Sequence, residues 1–178
     1  MPVTRLILAI SLATILSFPA PVFPASIYET QPEFLSRAFS GSPPEPAVLW
    51  LSGERKSAVR QMLGHDYAAL RLRYWCQGGR SAWVLDEIGK ELPITVGVIV
   101  ERGTIRSLRV MTYRENRGGE VATPAFTDQF NDASLRESND LDVRIDGISG
   151  ATLSVHALTG LAAMALFLHA ESGCDNGA

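Results

Sequence analysis

The chain is poor in the residues that build metal centres and nucleic-acid surfaces. It has 178 residues but only two cysteines and three histidines. Cys76 and Cys174, with the scattered His65, His156 and His169, show no ligand spacing, so no metal site is expected. Basic residues are not in excess: 16 Lys and Arg stand against 19 Asp and Glu, a net charge of −3. A polyanion finds no electrostatic support here, and no nucleic-acid partner is expected. Long apolar runs are scarce too. Leu6 to Phe18 holds only apolar and small hydroxyl residues, yet it is shorter than the ~20 residues a spanning helix needs. Near the C-terminus, only Leu161 to Leu168 is free of polar residues and Gly, so a membrane-spanning helix is not expected there either.

What is present fits an exported globular domain. Arg5 precedes the Leu6–Phe18 run, and Pro19, Pro21 and Pro24 then break any helix. A short apolar core behind one positive charge reads as a secretory signal peptide over residues 1–25, cleaved after Ala25; an uncleaved anchor is the alternative. Either reading puts the remainder outside the cytoplasm, most naturally in a bacterial periplasm. An oxidising compartment permits a Cys76–Cys174 disulfide, but the sequence leaves that pairing open. Residues 26–48 read as a polar, proline-dotted lead-in containing the linker-like Gly41-Ser-Pro-Pro-Glu-Pro46. Residues 49–170 read as one domain, and 171–178 as a polar tail. Hydrophobic content of 46% and charged content of 20% suit one domain with a real core.

Along that domain, Ser52 is placed to cap a helix over 54–63, and Gly64 to end it. Leu70 to Trp75 alternates as a half-buried strand does. Gly78–Gly79 turns it into a second strand over Ser81–Asp86, which together make a hairpin. Ile94 to Val100 reads as a central strand and Ile105 to Tyr113 as its neighbour. Thr123-Pro124 starts a short helix to about Phe130. Leu141, Val143 and Ile145 alternate as a last strand. A helix over 150–169 is apolar on most faces, with Leu158, Leu161, Ala165 and Leu168 in one stripe. The expected fold is α+β, a mainly antiparallel sheet with helices packed on it.

Between the last strand and that helix lies Asp146-Gly-Ile-Ser-Gly-Ala-Thr152. Ser149 is a good N-cap, which places Thr152 in the first helical turn, where N–H groups lack partners and the dipole is positive. A phosphate esterified to its hydroxyl would sit among those groups. Asp146, Ser149, Gly150, Ala151 and Thr152 match the D-x-x-S/T-G-A-T motif, and the chain resembles the FMN-binding domain family. That family includes subunits of the sodium-pumping NADH:quinone reductase and of the Rnf complex. The resemblance extends over about Leu51 to Leu168. It is carried also by Trp83 to Asp86, Gly97–Val98, Tyr113–Arg114–Glu115, Gly119–Glu120–Val121 and Gln129–Phe130, and is nearest to the small secreted members. The Glu-Thr-Pro-Gly stretch of the larger subunits is replaced here by Glu120-Val-Ala-Thr-Pro124.

The resemblance implies that a flavin transferase uses FAD to link FMN, through its phosphate, to Thr152. It implies a carrier that passes electrons between a membrane-bound redox partner and an extracytoplasmic acceptor, more an electron-transfer protein or subunit than a free-standing enzyme. A sensory or regulatory flavin module and a cofactor-free binding module are the alternatives. Asp146 serves either the attachment reaction or the turn. Glu120 is the candidate acceptor for a flavin-ring hydrogen bond, Trp83 a candidate ring wall, and Arg114 a candidate counter-charge. Trp75 and Tyr113 read better as core aromatics. His156, one helical turn after Thr152, could touch the phosphate.

Overall fold

The computed structural model describes residues 25–176. The expected signal peptide, apart from Ala25, lies outside the described residues. The elements in chain order are β1 (Ser26–Ile27), α1 (Gln31–Ala38), β2 (Ala47–Trp50), α2 (Gly53–Leu63), β3 (Arg71–Gln77), β4 (Arg80–Ile88), β5 (Pro93–Glu101), β6 (Thr104–Tyr113), α3 (Pro124–Thr127) and α4 (Thr152–Ser172). Short 3-10 turns cover Gly119–Ala122, Asp128–Phe130 and Cys174–Asn176. The six strands form one sheet in the order β1-β6-β5-β4-β3-β2, with every neighbour antiparallel. The fold is α+β, as the sequence leads one to expect.

Period-2 alternation sends side chains to two buried faces. Leu72, Tyr74, Trp83, Leu85, Val96, Val98 and Val110 join the larger core, under α4. Trp75, Ala82, Ile99 and Met111 join a smaller core, under Phe34, Leu35 and Ala38 of α1. Helices on both faces explain why β5 reads as an almost unbroken apolar run. In β6, Thr112 pairs with Thr95 and Val110 with Val96. Met111 is thus an extra residue in the register, a bulge that keeps Met111 on the α1 face and Tyr113 on the α4 face.

The 26–48 segment is more than a lead-in. It supplies β1 on one sheet edge, β2 on the other, and α1, whose Phe34 is fully buried. The expected strand over Leu141–Ile145 does not form. Leu141 makes only an isolated bridge with Leu135, and Asp142, Val143 and Arg144 are exposed. Side-chain bonds take over instead. The Asp142 carboxylate accepts from Ser134 N–H and Oγ–H at 2.8 Å each, and the Arg136 guanidinium donates to the Asp142 carbonyl at 2.8 Å.

Helix α4 is 21 residues long, enough by length and composition to cross a bilayer, contrary to the shorter run read from the sequence. Most of its apolar stretch is buried in the protein, against β4, β5 and β6 on one side and α2 on the other. Its C-terminal end is held by several contacts, among them an Arg55–Glu171 ion pair at 2.8 Å. Cys174 forms a disulfide with Cys76 of β3, 98 residues away. Buried His169 is hydrogen-bonded to Ser81 Oγ through Nδ1 at 2.7 Å, and its Nε2 lies 3.0 Å from Asp175 Oδ1 without a hydrogen bond. Trp83 Nε1 donates to the same Ser81 oxygen at 2.8 Å. Leu161 is 0% exposed at the middle of the helix. Leu161→Ala should therefore cost roughly 2–5 kcal/mol in chemical denaturation. A loss within measurement error would mean that the site collapses around the change.

Candidate functional site

The motif segment enters α4 through a turn rather than through a serine cap. Gly150 has φ +83°, a left-handed conformation, and the Ala151 N–H donates to the Ile148 carbonyl at 3.0 Å. That closure puts Ser149 at the exposed corner of the turn and leaves Ala151 at the cap position, with no side-chain cap bond. The expectation of a Ser149 cap is corrected accordingly. Thr152 is the first helical residue and is exposed. The first N–H accepted within the helix is that of Val155, by the Ala151 carbonyl at 3.0 Å. The N–H groups of Thr152, Leu153 and Ser154 precede it and have no acceptor among the described residues.

The turn is fixed from the other side by the segment that follows β6. Gly118 has φ +82°, and a Cβ there would lie 2.8 Å from the Ala151 Cβ and 2.9 Å from the Tyr113 hydroxyl. Only glycine opposite alanine allows this approach. The Tyr113 hydroxyl donates to the Arg117 carbonyl at 2.5 Å and lies 3.2 Å from Ser154 Oγ in the first turn of α4. Burial is the main cause that pushes the Tyr113 pKa up, so the phenol stays protonated and holds this link.

Two adjoining clefts open at this junction. One, of about 520 Å³, is lined by Lys90, Glu91, Glu115, Asn116, Arg117 and Gly150 to Ser154. The other, of about 620 Å³, is lined by Asn116 to Glu120, Thr123, Ser149 and Gly150. They share Asn116, Arg117 and Gly150, and each is of a size that holds a cofactor. The structure thus brings together Thr152, Ala151, Gly150, Ser149 and Glu120. Unaccepted N–H groups, exposed Lys90 and Arg117, and exposed Leu153 give the first cleft both phosphate-binding and apolar character. These residues fit a phosphate-bearing aromatic cofactor.

Other candidates lie elsewhere. Trp83 is 0% exposed and stacks on Tyr74 with ring centroids 4.7 Å apart, so it belongs to the core. Trp75 and Tyr113 are buried as well. Arg114 donates to the Pro93 carbonyl at 2.8 Å and to Thr95 Oγ1 at 3.0 Å, which pins the start of β5 instead of facing the cleft. Asp146 is exposed; its N–H is held by Gln129 Oε1 at 2.7 Å, and its carboxylate is not among the cleft-lining groups. His156 lines a separate cavity of about 420 Å³ with Gln61, Asn139 and Ile145.

Residues 89–166 match the family model described as FMN-binding domain. This region is an FMN-binding domain. None of the curated proteins compared with the chain matches it. The match supports a flavin-binding role for this region. The matched region takes in both clefts, the turn and most of α4.

The sequence reading missed Lys90, Arg117 and above all Glu115. Oε1 of Glu115 accepts from three consecutive N–H groups, those of Lys90, Glu91 and Leu92, at 2.7, 2.6 and 2.9 Å. Its one sequence signal is its place in Tyr113-Arg-Glu115. Burial pushes its pKa up, but the bonds from Leu92, Glu91 and Lys90 and the charge of Lys90 outweigh that and hold the carboxyl below the ordinary 4.5. A carboxyl with a depressed folded pKa stabilises above its unfolded pKa, and that stabilisation is lost as pH falls through the folded value. Glu115→Gln should therefore be less stable than wild type at pH 7, with the gap closing as the pH drops below about 4.5. Denaturant midpoints measured across that range test this; a gap that does not change with pH would mean that the carboxylate's charge contributes nothing.

Proposed function

We propose that this protein is an extracytoplasmic flavoprotein that carries FMN in phosphoester linkage to Thr152. In this reading it relays electrons between a membrane-bound redox partner and an extracytoplasmic acceptor. The observation that carries the attachment is the setting of Thr152. Its exposed side chain starts α4, beside unaccepted N–H groups, in a cleft shared with Lys90 and Arg117. A phosphate on Oγ would meet the helix dipole, Arg117 and Lys90 in that cleft, with Lys90 shared with Glu91 at 3.5 Å and Glu115 held by the hairpin N–H groups.

Attachment by a flavin transferase forms the Thr152 Oγ–P bond and breaks the P–O–P bond of FAD. AMP leaves, and the hydroxyl proton passes to a base or metal-activated group of the transferase. Asp146 is the chain's own candidate to assist, because Gln129 holds its backbone while its side chain stays exposed. Once bound, FMN supplies one- and two-electron chemistry. The chain's residues then orient and shield it. Ala151 and Gly118 fix the turn, Lys90 and Arg117 balance the phosphate, and Leu153 offers apolar contact. Glu120, in the second cleft, is an acceptor within the same groove.

Protein coexpressed with an active flavin transferase should gain the mass of one FMN phosphoester and fluoresce on a denaturing gel. Thr152→Ala should abolish both signals while leaving the domain folded, since an exposed hydroxyl and methyl are all that is lost. Asp146→Ala should reduce loading if that carboxylate helps the transferase. Covalent flavin persisting on Thr152→Ala would assign the linkage to another residue. Export is motivated by Arg5, the Leu6–Phe18 run and the prolines that follow. Cleavage after Ala25 would leave β1 whole, so N-terminal sequencing of the mature protein should begin within a few residues of Ser26. Membrane-bound protein that retains Met1 would favour the anchor.

A further inference from the structure

Two sets of backbone N–H groups lie at the cleft that contains Thr152, whose lining includes Lys90 and Glu91 of the second set. One belongs to the first turn of α4 and lacks acceptors. The other belongs to the β4–β5 hairpin at Lys90, Glu91 and Leu92, and converges on Glu115 Oε1 within 2.9 Å. Consecutive N–H groups that converge in this way make an anion-binding concavity. The hairpin closes its own turn through Gly89 N–H to the Leu92 carbonyl at 3.1 Å, so Glu115 is not needed for that closure. What Glu115 adds is a tie between the hairpin and the segment after β6, 23 to 25 residues further along the chain.

The tie reaches α4 as well. A Cβ at Gly89 would lie 3.2 Å from Glu115 Oε1 and 3.3 Å from Ser154 Oγ. Hairpin, carboxylate and the residue two positions after Thr152 are therefore packed together. The other charged groups lining the cleft are Lys90 and Glu91 on the hairpin and Arg117 after β6; the α4 residues that line it, Thr152, Leu153 and Ser154, carry no charge.

We propose that Glu115 is the positioning residue of the flavin cleft. Its carboxylate fills the hairpin's anion site and holds residues 89–92 as a wall against α4. A phosphate entering the cleft then finds only the α4 N–H groups open to it, and a flavin attached at Thr152 is retained in the cleft. The inference rests on the attachment reading above.

The test uses the full mature protein loaded by the transferase, as wild type, Glu115→Ala and Glu115→Gln. Flavin fluorescence anisotropy and quenching by iodide are measured at neutral pH, with loading read separately by intact mass. Glu115→Ala should carry flavin of lower anisotropy and greater iodide access than wild type. Glu115→Gln should restore most of both, because its amide oxygen can accept the same N–H groups. If Glu115→Ala does not fold, Glu115→Asp, which withdraws the charge by one methylene, carries the same expectation. A loaded Glu115→Ala or Glu115→Asp that equals wild type in both measurements overturns this inference alone. A wild type that takes up no flavin overturns the attachment reading and this inference with it.

Discussion

The burial of α4 against the sheet is the constraint on which the rest of the molecule depends. The helix is apolar almost all round because it is covered almost all round, by the sheet on one side and α2 on the other. A surface helix with one apolar stripe could rotate or slide at modest cost. A helix locked into close-packed neighbours on two sides cannot. Its N-terminus is therefore fixed by the core, and so is Thr152. Thr152 itself is exposed, but the helix that positions it is among the most deeply buried parts of the protein.

The strands and helices that face this core were legible in the sequence because burial imposes a period. Leu72 and Tyr74 and the Leu158–Leu161–Ala165–Leu168 stripe carry that period, the β5 run is apolar on both faces, and each lies where it says. The period misled at Leu141–Val143–Ile145, where alternation exists but Asp142 and Arg136 bind the backbone before any strand can pair. It was silent at α1, which touches the sheet through only a few side chains. The readable sign there was local: Glu33 reaches back to the Thr30 N–H at 2.8 Å, as in a capping box.

The site was legible where its chemistry is local and obscure where it is not. Thr152 and the small residues before it could be placed because a turn and a helix start are written in adjacent residues. Trp83 was misread because residue type suggests an aromatic wall, whereas its strand register points it into the core. Arg114 and Glu115 are neighbours with opposite fates. The arginine binds β5, and the carboxylate crosses to the hairpin. No sequence pattern marks a side chain whose partners are three backbone N–H groups more than twenty residues away. The resembling triplet Tyr113-Arg-Glu115 is thus three separate anchors, to α4, to β5 and to the hairpin.

The Cys76–Cys174 bond closes a covalent ring around residues 89–166, the whole of the FMN-binding domain match. A protease that cuts one exposed loop inside that ring separates no fragments, since both pieces stay joined through the sulfurs. The strands and α4 then remain at high local concentration and can re-close on one another. A single nick inside the ring would therefore leave every part of the matched region joined to the rest of the chain.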